Sequence, residues 1–156
     1  MFYLIRDLLW PPVKTVTIES KLVHPNAQIP FRKRATDAGY DLYSVEHKII
    51  PAGDMVNIRT GIILTCPPGW YMTIEPRSSL AIRKISPFHA IIDATYTGEM
   101  MVALMNHGSV DYEVHDQDRI AQVVLHRQCH LDFKLVEEFS NEYSGRGLDG
   151  FGHSGR

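Results

Sequence analysis

The chain has 156 residues and a mass of 17.8 kDa, which is enough for one domain with a self-sufficient hydrophobic core and argues against two. A content of 44% apolar, 22% charged and 10% aromatic residues excludes a disordered or collagen-like chain. Sixteen Lys and Arg against 18 Asp and Glu leave a net charge of -2, so there is no bulk positive field to hold a nucleic-acid polymer or an anionic membrane, and any anion site must be local.

The opening MFYLIRDLLW is apolar but has neither a basic leader nor a small-residue cleavage site. Residues 1–12 are therefore expected to be an N-terminal extension that packs Trp10 and its neighbours onto the domain or onto another subunit. Short runs of strand composition follow, broken by Pro, Gly and Asn, with almost no helical spacing sustained over three turns. They predict strands over residues 13–19, 41–44, 48–50, 55–58, 62–65, 70–75, 99–106, 111–115, 120–126 and 133–137. Turns are expected at Pro51-Ala52-Gly53-Asp54, Pro67-Pro68-Gly69 and Asn106-His107-Gly108. This pattern is that of an all-β sandwich, jelly roll or barrel.

One helix is predicted over residues 78–84, where Ser78 and Ser79 offer capping hydroxyls ahead of good helix formers. The apolar run Met100 to Met105 is the longest without proline, six residues where a membrane span needs about 20, so no membrane segment is expected. Cys66 and Cys129 are the only cysteines and form no CxxC pair, which implies a reducing compartment, expected to be the cytoplasm, or an intracellular host compartment if the chain is viral. Five of the 11 glycines fall in the last 12 residues, so residues 141–156 are expected to be a mobile arm beyond a domain of residues 13–140.

Five segments could carry chemistry. Pro76-Arg77-Ser78-Ser79 sets a guanidinium and two hydroxyls at a helix start, which reads either as a phosphate site or as an ordinary cap. Asp93 sits where the apolar run 89–92 meets a polar turn before residues 99–106, a sequence that reads as a hairpin. Its carboxylate could be a turn former, or with Tyr96 it could hold a sugar and position a water. The tail combines Arg146, Phe151, Gly152, His153 and Ser154, suited to a phosphate-cradling amide nest with one stacking ring, or to a solvated linker. Gly39-Tyr40-Asp41-Leu42 and Arg119-Ile120-Ala121-Gln122 are less informative on their own. The eight histidines show no HxH or HExxH spacing, so no zinc ligand set is expected from them.

In chain order these segments resemble the five motifs of the homotrimeric dUTP pyrophosphatases: Ala38-Gly39-Tyr40-Asp41-Leu42, Pro76-Arg77-Ser78-Ser79-Leu80-Ala81, Ile92-Asp93-Ala94-Thr95-Tyr96-Thr97-Gly98-Glu99, Arg119-Ile120-Ala121-Gln122, and Arg146-Gly147 with Gly150 to Gly155. Ser79 stands where many members have Gly, and Thr97 where Arg is frequent. The resemblance implies a distorted jelly-roll subunit in a homotrimer whose active sites are shared, each closed by a C-terminal arm. It also implies hydrolysis of dUTP to dUMP and pyrophosphate with Mg²⁺.

By the same resemblance Asp93 activates the water, and Gln122 reaches the phosphates or that water. Arg77, Ser78, Ser79, Arg146, Gly152, His153 and Ser154 bind the triphosphate, and Asp41 holds Mg²⁺ through its waters. Tyr96 lies beneath the deoxyribose, Phe151 stacks on the base, and backbone groups of Ala90, Ile91, Ile92 and Met101 read the uracil edge. Two competing readings are a dCTP deaminase-like nucleotide enzyme and a trimeric β-sandwich binding module without catalytic activity.

Overall fold

The computed structural model describes residues 15–138. Its strands are β1 (Glu19–Leu22), β2 (Tyr40–Tyr43), β3 (Lys48–Ile50), β4 (Met55–Thr65), β5 (Trp70–Glu75), β6 (Ile85–Pro87), β7 (Ala90–Ile92), β8 (Glu99–Asn106), β9 (Tyr112–Val114) and β10 (Arg119–Arg127), with one short helix, α1 (Ser78–Ala81), after β5. Two four-stranded antiparallel sheets, ordered β1-β4-β8-β6 and β2-β10-β5-β7, are joined by a two-stranded ribbon, β3-β9. This architecture is all-β, as the strand pattern predicts, and consistent with the jelly roll that the family resemblance implies.

The core follows from alternation. Along β8, Met100, Val102 and Leu104 are buried every second residue, and they meet Ile58, Ile62 and Leu64 of β4. The opposing sheet adds Leu42, Met72, Ile74, Ile120 and Val123. Asn106, at the end of β8, is buried but fully used: its amide donates to the carbonyls of Ile50 at 3.0 Å and Val110 at 2.8 Å, and its carbonyl accepts from Gly108 N–H at 2.9 Å. That turn locks the β3-β9 ribbon against the sheet, since a buried amide left unpaired would cost about 1–3 kcal/mol.

The structure corrects several expectations. The strands predicted over 55–58 and 62–65 are one strand, β4, whose register with β8 shifts between Arg59 and Ile63. The polar break in the sequence is a bulge within a continuous strand. Strand β1 begins only at Glu19, because it pairs with β4 from Thr65 back to Ile62 and the chain beyond is Cys66-Pro67-Pro68, where prolines offer no N–H to extend the ladder. Of the strand predicted over 13–19, residues 15–18 are not strand, and the first two lie outside the described residues.

Residues 133–137 are not strand either, and Phe133 and Leu135 are 87% and 98% exposed. The helix is shorter than predicted: α1 ends at Ala81, Lys84 takes a left-handed turn at φ 62°, and the chain enters β6 so that Ile85 is buried against β8. Pairing with β8 overrides local helix preference. Finally, 89–92 and 99–106 do not form a hairpin. β7 pairs with β5 in one sheet and β8 with β4 and β6 in the other, so the Asp93 turn crosses between sheets.

Candidate active site

Strands β2, β10 and β5 are neighbours, and their register places Gln122 opposite both Asp41 and Glu75. The chain leaves β5 through Pro76 into Arg77, so three of the sequence motifs converge at one end of this sheet. The Arg77 guanidinium donates from Nε to Asp41 Oδ1 at 2.7 Å and from Nη1 to the Arg119 carbonyl at 3.0 Å. Arg119 Nη1 reaches Asp41 Oδ2 at 3.4 Å. Asp41 and Arg77 side chains are 18% and 16% exposed, so this pair is better shielded than an ordinary surface salt bridge.

Gln122 is fixed by donation from Nε2 to the Pro76 carbonyl at 2.8 Å, and its amide lies directly over Gly39, where an added Cβ would stand 2.0 Å from Oε1. Glycine at position 39 is what allows this close approach. Ser78 and Ser79 do not cap α1: the cap position is Arg77, with no side-chain cap bond, and both serines line the cleft. The cleft has a volume of about 230 Å³.

Arg32, Lys33 and Arg119 also line this cleft, with Asp37. Four cationic side chains therefore face two carboxylates, a local excess of positive charge on a protein of net charge -2. Sequence reasoning did not assign roles to Arg32, Lys33 and Arg119. The available signals were the basic run Arg32-Lys33-Arg34 and the arginine that opens the Arg119-Ile120-Ala121-Gln122 segment.

Asp93 and Tyr96 lie elsewhere. Asp93 follows β7 at the level of Tyr71, the start of β5, whereas Arg77 follows β5 at its other end. About six residues of strand separate those levels, on the order of 20 Å. Asp93 is exposed and does not line the cleft of Arg77, so among the described residues of one chain the sequence-predicted base stands apart from Arg77, Ser78 and Ser79.

Tyr96 closes the Asp93 turn, its N–H donating to the Asp93 carbonyl at 3.0 Å and its hydroxyl to the Glu99 carbonyl at 2.9 Å. The ring lies against Gly98, where a Cβ would come within 2.4 Å of the hydroxyl, so the ring is held in a fixed pose. Ala90, Ile91 and Ile92 form β7, an edge strand of its sheet, whose outer N–H and C=O groups are available to a planar hydrogen-bonding ligand. Met101 lies on β8, opposite Arg59 of β4.

The end of this turn is anchored by Glu99, which accepts from Arg59 Nη2 at 3.0 Å and from Gly61 N–H at 2.8 Å. Burial pushes the Glu99 carboxyl up, but the Arg59 guanidinium and the N–H groups of Gly61 and Thr60 together hold it below the ordinary value. The tail residues Arg146, Phe151, Gly152, His153 and Ser154 lie outside the described residues.

The donor set suits a hydrated magnesium ion rather than a directly ligated one. The two oxygens of Asp41 each accept one arginine contact, leaving lone pairs for metal-bound waters, while the other carboxylate of the cleft, Asp37, accepts the Arg34 backbone N–H at 3.0 Å.

A family model described as dUTPase matches residues 25–155. The deoxyuridine 5'-triphosphate nucleotidohydrolase of Candida albicans is 40% identical over 145 residues, covering 91% of this chain and 90% of that protein. That of Saccharomyces cerevisiae is 37% identical over 139 residues, covering 88% and 94%. Among solved structures, the dUTPase of Staphylococcus bacteriophage 80alpha with dUpNHpp superposes with a TM-score of 0.83 at 28% identity, over 91% of this chain and 100% of that one. Motifs, fold and relatives agree: the chain belongs to the dUTPase family.

Proposed function

We propose that this protein hydrolyses dUTP to dUMP and pyrophosphate, keeping dUTP low and supplying dUMP for dTMP synthesis. The observation that carries this reading is the convergence of Asp41, Arg77, Ser78, Ser79 and Gln122 on one cationic cleft in a chain of the dUTPase family. The dCTP deaminase-like and binding-module readings are not favoured by that membership.

The triphosphate lies along the cleft. Arg77, Ser78 and Ser79 donate to its oxygens, and Arg32 and Lys33 add charge compensation from the cleft wall. Asp41 would hold Mg²⁺ through the ion's waters, and the ion would supply further neutralisation of phosphate charge. Asp93 takes the proton of a water that attacks the α-phosphorus; the bond from that phosphorus to the bridging oxygen breaks and pyrophosphate leaves. Such a base contributes about 10² to 10⁴ in rate, so the fixed cations must supply much of the remaining acceleration. Gln122, held by Pro76, orients the water or a phosphate oxygen. Tyr96 forms the floor under the sugar and leaves no room for a 2′-hydroxyl, and the edge of β7 with Met101 reads the base. Arg146, Phe151, Gly152, His153 and Ser154 complete the site from the C-terminal arm.

A separation of about 20 Å between Asp93 and Arg77 favours a homotrimer in which different subunits supply them. The alternating exposed residues Leu131, Phe133 and Leu135 have the pattern of a strand whose partner is another copy of the chain. The test is complementation: Asp93→Asn and Arg77→Ala chains, each inactive alone, should recover dUTP-dependent pyrophosphate release when dissociated and reassembled together. Mixed oligomers without recovered activity would place both groups in one subunit's site.

A further inference from the structure

The β3-β9 ribbon carries a cluster that the proposed reaction does not use. Lys48 pairs with Val114 and Ile49 with Glu113, so His47 and His115 extend the ladder as a cross-strand pair, with Glu113 on the same face as His115. His47 Nε2 lies 2.5 Å and His115 Nε2 3.6 Å from Glu113 Oε1, and one ligand atom from each of the three residues lies within 4.8 Å of the others. The imidazole centroids are 5.2 Å apart. We propose that His47, Glu113 and His115 form a surface binding site for a borderline divalent cation of the zinc class, separate from the magnesium of the dUTP site.

The chemistry selects the ion. Two neutral imidazoles and one carboxylate suit Zn²⁺, Co²⁺, Ni²⁺ or Cu²⁺, whereas Mg²⁺ prefers an all-oxygen shell. Metal–ligand bonds of about 2.0–2.2 Å place tetrahedral donors about 3.3 Å apart. The His47–Glu113 pair must open by about 0.8 Å, the His115–Glu113 pair close by about 0.3 Å, and the two imidazole nitrogens, within 4.8 Å of each other, close by at most about 1.5 Å, rotations open to side chains that are all more than half exposed. The backbone under them is rigid, because Ile50 and Val114, which flank the cluster on the two strands, are fully buried.

A carboxylate behind one imidazole adds support. Asp118 accepts the His115 backbone N–H at 2.9 Å and lies 3.7 Å from Nδ1 of its ring, a position that favours a proton on Nδ1 and leaves Nε2 free to ligate. The remaining coordination positions face solvent, so water completes the shell and the ion exchanges readily.

The test uses the whole protein, stripped with a chelator and titrated with zinc chloride by calorimetry. One Zn²⁺ per protomer is expected in addition to any background, undiminished by millimolar Mg²⁺. It should be lost in the His47→Ala/His115→Ala double variant and weakened about tenfold or more in Glu113→Gln. Cobalt chloride should give the stronger visible absorption of a four- or five-coordinate ion with wild type and only the weak aquo spectrum with the double variant. Pyrophosphate release from dUTP with Mg²⁺ confirms that each variant is folded, since none of the three residues lines the cleft. Equal zinc stoichiometry and affinity in wild type and double variant, or an unchanged aquo cobalt spectrum, would overturn the proposal.

Discussion

Replacing Gly39 with alanine isolates how the cleft holds Gln122. A Cβ at this position would stand 2.0 Å from Gln122 Oε1 and 2.6 Å from Cδ, while ordinary contact begins near 3.5 Å, so the amide must retreat by about 1.5 Å. The atoms in the way are the end of a flexible side chain, which can swing aside, so the fold survives. What is lost is the bond to the Pro76 carbonyl, a stability loss of about 0.5–1.5 kcal/mol.

The effect on turnover should be larger, because a misplacement of about 1 Å in a positioning group can cost about 10²-fold. Pyrophosphate release under saturating dUTP gives kcat, and thermal unfolding gives stability. The decisive arm is the Gln122→Ala background. With no amide to displace, Gly39→Ala should then cost little further in kcat, giving strong non-additivity. If the glycine substitution costs the same with and without Gln122, the close approach is irrelevant to catalysis and the reasoning fails.

Asp93→Asn should lower kcat about 10²- to 10⁴-fold while nucleotide binding persists, and near-native turnover would assign the base elsewhere. If the Tyr96 ring is the floor under the sugar, as proposed, Tyr96→Ala should narrow the ratio of kcat/KM for dUTP over UTP; an unchanged ratio removes Tyr96 from specificity. The Glu99 carboxyl is held below its ordinary value of 4.5, so its pairing contributes stability above that pH and loses it as pH falls through the depressed folded value. Wild type should accordingly exceed Glu99→Gln in Tm at neutral pH, with the gap closing in acid. A gap independent of pH would mean that the carboxylate charge contributes nothing.

Much of the molecule was legible from local pattern alone. Alternation at Met100, Val102 and Leu104 specifies which face of β8 is buried, and the Pro51 to Asp54 and Pro67 to Gly69 breakers mark real turns. Asp41, Arg77, Ser78, Ser79 and Gln122 of the cleft are named by short motifs because their chemistry, a guanidinium beside hydroxyls and a carboxylate before a strand, is carried by residue type. Pairing is a different kind of information. Whether β7 joins β5 or β8, whether 55–58 and 62–65 are two strands or one with a bulge, and whether α1 runs past Ala81 depend on burial against distant strands, which local propensity does not encode.

Residues 133–137 have strand composition yet form no strand among the described residues, since a strand exists only with a partner edge. The same limit left Arg32, Lys33 and Arg119 without assigned roles, because the segment before β2 and the start of β10 meet at the cleft only in the fold. It also hid the cluster of His47 with Glu113 and His115, because no histidine spacing along the chain reveals two imidazoles that face each other only across the β3-β9 ladder. Periodicity and residue chemistry are properties of neighbours in sequence. Register, sheet membership and the distance between Asp93 and Arg77 are properties of chain return, and they exist only once the ladder hydrogen bonds and the core have selected one packing.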